Sequence, residues 1–125
     1  MESAIPNINP SRPRLSAKPA LEFTIADGEG AVLFDIINDR RYARISVENT
    51  SAKACKIKAS TSNDDEAASA DDYDTVLAGG SAAGDGLGSS ITYDVKDRIQ
   101  AVSAWNSSGA DTTLRVKVWN SDRQF

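Results

Sequence analysis

An all-β fold, a single β-sandwich or jelly roll of about eight strands with an extended N-terminal arm, is what this sequence of 125 residues predicts. Apolar side chains recur at every second position through most of the chain, which is the period of a half-buried strand. Clusters of Gly, Asn, Asp and Ser punctuate those runs. No segment has a helical period, Ala67 to Ala70 offering one turn at most.

All four prolines, Pro6, Pro10, Pro13 and Pro19, lie in the first nineteen residues, where they fix φ, remove amide donors and extend the residues before them. Residues 1–20 therefore form an arm and residues 21–125 the sandwich domain. The first strand places Leu21, Phe23 and Ile25 on one face, and Asp27-Gly28-Glu29-Gly30 turns the chain. Ala31 to Ile37 is apolar on both faces and predicts a more central strand, broken at Asn38-Asp39-Arg40. Two hairpins of similar plan are then expected. In the first, Ala43, Ile45 and Val47 face Cys55, Ile57 and Ala59 across Asn49-Thr50-Ser51-Ala52, with Arg44, Ser46, Glu48, Lys53, Lys56 and Lys58 outward. In the second, Ile99, Ala101, Ser103 and Trp105 face Leu114, Val116 and Val118, with Arg115 and Lys117 outward. Between them come a polar stretch from Ser60 to Asp72, a short strand within Tyr73 to Ala78, a glycine-rich loop from Gly79 to Ser90, and the strand holding Ile91, Tyr93 and Val95.

The chemistry available is narrow. The chain has no histidine and one cysteine, Cys55, which shares the inward face with Ile57 and reads as a small buried hydrophobe. The usual bases, nucleophile partners and metal ligands are missing or unpaired, so an enzyme is not expected, and neither is a cofactor. Asp64, Asp65, Glu66, Asp71, Asp72 and Asp74 offer hard oxygen ligands, yet they lack the spacing of a calcium loop and read as a solvated loop. The glycine-rich loop leads into a strand, not the helix of a phosphate cradle. Asn49-Thr50-Ser51 and Asn106-Ser107-Ser108 match the glycosylation acceptor pattern but read as turn residues.

Charge is uneven. Arg12, Arg14 and Lys18 against Glu2 make the arm +2, and with a net charge of -4 the remainder is -6. An acidic body repels phosphates, so no nucleic-acid partner is expected. The opening residues Met1 to Pro6 lack a basic, apolar leader pattern, and the apolar runs are too short for a membrane span, predicting synthesis in a cytoplasm. Trp119 falls out of phase with Leu114, Val116 and Val118 and is a candidate partner anchor.

The arm at Ile5 to Pro19, the runs Tyr42 to Ser60 and Arg98 to Trp119, and the Gly79 to Ser90 loop together make a plan that resembles the decoration, or cement, proteins of tailed bacteriophage capsids. The resemblance implies a virion structural protein that joins the outer shell as a homo-oligomer, its partners being the major capsid protein and neighbouring copies of itself. It also implies partner contacts by the arm: Arg12, Arg14 and Lys18 against an acidic surface, and Ile5, Ile8 and Leu15 in shallow pockets between those charges. Removing residues 1–20 is then expected to leave a folded body that no longer joins its assembly. Two rivals from other classes are a carbohydrate-binding or host-adhesion module using Trp119, Tyr73 and nearby carboxylates, with Tyr93 the one further aromatic to recruit, and a glycoside hydrolase using two facing carboxylates, for which Asp94, Asp97, Glu22 or Glu48 are available and no pair is preferred.

Overall fold

The structure, a computed structural model, describes residues 15–62, 65–80 and 89–121. Its strands are β1 (Leu15–Ala17), β2 (Leu21–Ile25), β3 (Glu29–Asp35), β4 (Tyr42–Asn49), β5 (Cys55–Ser60), β6 (Thr75–Leu77), β7 (Ser90–Asp94), β8 (Ala101–Asn106) and β9 (Thr112–Ser121), with one 3-10 turn at Val95–Asp97. One sheet runs β1-β9-β4-β7 with β2 also on β9, and the other runs β3-β8-β5-β6. Every pairing is antiparallel.

β1 and β2 lie in line along the same side of β9, β1 opposite Trp119 to Ser121 and β2 opposite Thr112 to Val116. The interruption falls at Pro19, which has no amide to donate. Counting this pair as one place gives eight strand places whose order, one-eight-three-six facing two-seven-four-five, is that of a jelly roll. The predicted all-β sandwich is therefore the observed fold. Among the described residues strand pairing begins at Leu15, so the last residues of the proline-rich segment belong to the edge of the first sheet.

The two expected hairpins are not hairpins. β4 and β5 belong to different sheets, as do β8 and β9, so each connection is an arch that crosses the sandwich. The inward residues still face each other, but across the core and not along a ladder. Ile45, Val47, Ile57, Val102 and Leu114 are fully buried at its centre, each contributing about 1.5–3 kcal/mol.

Three local departures have physical causes. A bulge at Ala43 lets Tyr42, and not Ala43, turn inward, where its ring meets Phe34 edge-on and its hydroxyl accepts the Ile99 amide at 2.8 Å. A register shift at Leu33 lets both Leu33 and Phe34 bury, so the two-sided apolarity of Ala31 to Ile37 marks a bulged edge strand and not a central one. In β8 the inward residues are Val102 and Ala104, whereas Ser103 and Trp105 take the outer face, opposite Lys58 and Lys56. Ile99 precedes β8, next to Arg98 in the left-handed region, so its side chain does not set the strand's phase.

Candidate functional site

The two arches share one chemistry. Asn49 and Asn106, both fully buried, end β4 and β8. The Asn49 amide donates to Lys53 O at 2.7 Å and Leu77 O at 3.0 Å, and its Oδ1 accepts the Ser51 amide. The Asn106 amide donates to Ala110 O and Ile25 O, both at 2.7 Å, and its Oδ1 accepts the Ser108 amide. Each side chain thus closes its own turn and reaches the edge strand of the opposite sheet, stapling the layers. These asparagines carry structure, in agreement with the turn reading of both acceptor patterns.

Of the sequence-predicted contact residues, Ile5, Ile8, Arg12 and Arg14 lie outside the described residues. Leu15 enters β1 opposite Ser121. Lys18 is held by its own body: its amide donates to Val118 O at 2.9 Å and its ammonium pairs with Asp39. Trp119 faces outward from β9, half-buried, with the Arg44 guanidinium 5.8 Å and the Lys117 ammonium 5.2 Å from its ring centre. Arg44 also meets Asp94 at 3.2 Å, an exposed pair of about 0–1 kcal/mol. Ser46, Glu48, Arg115 and Lys117 complete a shallow depression of about 170 Å³ beside the indole. Across this face Glu22, Arg115 and Glu48 stand in register on β2, β9 and β4, so charges alternate along the row.

The three aromatics that a sugar platform would recruit do not share a face. Tyr73 lies under the Lys56 ammonium, 4.7 Å away, on the outside of the second sheet. Tyr93 stands opposite Ile45 and packs on the core, its hydroxyl pushed up to about 12 by burial and then by Asp74 and Asp97. The carboxylates that a hydrolase would use serve local structure: Asp97 accepts the Asp94 amide at 2.8 Å, and Asp94 pairs with Arg44.

The acidic stretch is no free loop. Asp64 lies outside the described residues; residues 65–74 fold over the outer face of β5 and β8, where Lys58, expected to point into solvent, is only 6% exposed at its side chain. The Lys58 ammonium donates to Asp65 at 2.8 Å, Asp72 at 2.6 Å and Glu66 O at 2.7 Å. Nearby, the Ala68 amide donates to Ser103 Oγ at 2.8 Å, Asp74 accepts the Ala59 amide, and Lys56 reaches Ala70 O. Among the described residues, no group of three or more acidic or cysteine side chains is arranged to hold a metal ion. Strand alternation could not reveal this arrangement, since it is blind to a loop laid over the outer face.

Cys55 is 1% exposed, and burial pushes its thiol up to about 11. At pH 8 the thiolate is then roughly 0.1% of the population. A disulfide exchange reagent is expected to modify the folded protein at least about a hundredfold more slowly than the urea-unfolded chain; comparable rates would mean that the thiol is accessible. The glycine loop begins packed on the first arch: Gly80 donates to Ser51 O at 2.8 Å, and a Cβ on Gly79 would lie 2.3 Å from the Ala52 carbonyl carbon. Residues 81–88 of that loop lie outside the described residues.

A second surface, not foreseen from the sequence, opens between β2 and β3. This groove of about 470 Å³ has a mixed lining, Leu21, Phe23, Val32, Leu33 and Phe34 along its length and Asp35, Asn38 and Asp39 at one end. Leu21 and Val32 are 58% and 53% exposed.

No family model matches the chain, and no curated protein matches it. Among solved structures, it is similar to a chain from Bacillus endospore appendages, described as a novel family of disulfide-linked pili. The TM-score is 0.51, with 10% identity, over 95% of this chain and 98% of that one. The likeness extends across both chains and shows a shared β-sandwich fold.

Proposed function

We propose that this protein is a structural subunit of a larger protein assembly and, within that class, a decoration protein that binds the outer shell of a bacteriophage capsid and neighbouring copies of itself. The observation that carries the reading is the position of β1: the described end of the proline-rich segment lies on the edge of the first sheet, Leu15 opposite Ser121, on a body whose described polar clusters serve its own fold. The appendage chain of the same fold is described as a pilus former, which supports an assembly role in general. Its assemblies are described as disulfide-linked, whereas the buried thiol of Cys55 favours noncovalent association here. Many copies repeated over a lattice give firm attachment from weak single contacts.

The pairing of β1 and the ion pair of Lys18 move the informative cut from residue 20 to residue 14, because the longer deletion would also strip an edge from the first sheet. A protein lacking residues 1–14 is expected to fold as the full chain does and to lose self-association in sedimentation velocity and co-sedimentation with phage shells. Full-strength association without those residues would overturn the reading. Saturable glycan binding abolished by Trp119→Ala, or turnover of a substrate, would replace it with one of the rivals.

A further inference from the structure

We infer that the groove between β2 and β3 receives residues 5–14 of a second copy of this chain. This deepens the assembly role proposed above and rests on it. The groove presents Leu21 and Val32 to solvent side by side, two of the five exposed large apolar residues among the described ones. One wall, β3, pairs with β8 alone and is the edge of its sheet, so among the described residues its other side has no strand partner. An extended segment can add to such an edge, with backbone bonds supplying affinity and side-chain pockets supplying choice.

The N-terminal segment has the matching chemistry. Ile5 and Ile8 are its apolar residues past Met1 and Ala4, and Arg12 and Arg14 outweigh Glu2. Pro6, Pro10 and Pro13 each fix φ and so reduce the conformations open to the free segment, which lowers the entropy lost on docking. Among the described residues neither Lys nor Arg lines the groove, and of the two carboxylates at its end Asp39 is taken by Lys18 of the same chain, which leaves Asp35 for an incoming cation.

Direction decides between the chain's own groove and a neighbour's. Going back from Ala17 to Leu15, the chain runs along β9 from Trp119 to Ser121, away from the part of β9 that β2 occupies. At Leu15 the strand therefore points away from the groove wall, and a route into its own groove would require a reversal. Fourteen extended residues span up to about 45 Å, against a body roughly 35 Å across, so a neighbouring copy is within reach.

The full-length protein tests this in two ways. Copies carrying Ile8→Cys are mixed with copies carrying Val32→Cys under mild oxidation, and Val32→Glu is compared with the unaltered chain in sedimentation velocity. A disulfide that joins the two kinds of copy, and self-association weakened about tenfold or more by Val32→Glu, are the results expected. Val32 is already more than half exposed, so the glutamate burdens folding little, and the cross-link reports on contact independently of it. If deletion of residues 1–14 abolishes association while Val32→Glu changes nothing and no cross-link forms, the groove is overturned and the arm's role stands. Association that survives the deletion overturns both. A chain carrying both cysteines that closes only on itself, or a protein that stays monomeric at every concentration, overturns the second copy as occupant.

Discussion

Replacing Asn106 by alanine is expected to destabilise the sandwich by about 2–4 kcal/mol, because the buried Ile25 O loses its donor, the Ser108 amide loses its acceptor, and Ala110 O keeps only the Ser108 hydroxyl. Asn49→Ala should cost a similar amount through Leu77 O and Lys53 O. Against a total of roughly 5–15 kcal/mol, either change is a large fraction, and both together are expected to leave little folded protein at 37 °C. Urea unfolding with an unchanged m-value is the measurement. Ser107→Ala, one residue away on the exposed side of the arch, is the control and should stay within about 0.5 kcal/mol. Asn106→Asp separates the two functions of the side chain, since it retains the acceptor for the Ser108 amide and removes the donor. If it proved as stable as the unaltered chain, the staple between sheets would not be what holds the arch.

The second large effect concerns the acidic flap over Lys58. The Lys58 hydrogen bond holds the Asp65 carboxyl below its usual value of 3.8, so its stabilisation is complete above that value and disappears as pH falls through the lower, folded one. Lys58 is raised above 10.5, first by its bond to Asp65 and then by that to Asp72, so its share is complete below 10.5 and disappears as pH rises through the higher, folded value. The flap should thus stay shut from about pH 4 to about pH 10, opening at the acid end as Asp65 takes up a proton. Hydrogen exchange can follow the Ala68 amide, bonded to Ser103, and the Ser69 amide, bonded to Asp72 O. Lys58→Met should lower their protection tenfold or more at neutral pH, by leaving Asp65 and Asp72 facing each other without a counter-charge. It should also abolish the acid dependence. Equal protection in the two proteins would mean that the flap is held by its backbone contacts alone.

What the sequence revealed and what it concealed follow from the same periodicity. Alternation at Ile45 and Val47, and at Cys55 and Ile57, marks which side chains face the core, and that was enough for an all-β sandwich. It does not say which strand lies alongside, because an arch and a hairpin bury the same faces. The buried asparagine followed two residues later by a serine is the signal that distinguishes them here, and it stood at both corners of the sequence. Leu33 beside Phe34 read as a strand buried on both sides because a bulge mimics that pattern. Trp119 was legible as outward-facing, since it breaks phase with three well-buried neighbours. The groove was not, because Leu21 and Phe23 carry the same inward phase as Ile25, and only their place at an open side of the sandwich leaves Leu21 uncovered.

The nitrogen atoms that clamp the two corners are also the atoms to which an oligosaccharide would be joined if the chain met that machinery. A sugar on Asn49 or Asn106 would substitute a nitrogen that already donates to two carbonyls and would force a bulky, hydrated group into a fully enclosed site. Maturation of this polypeptide and carbohydrate attachment at either position therefore exclude each other, and a eukaryotic secretory host would be a poor choice for producing it.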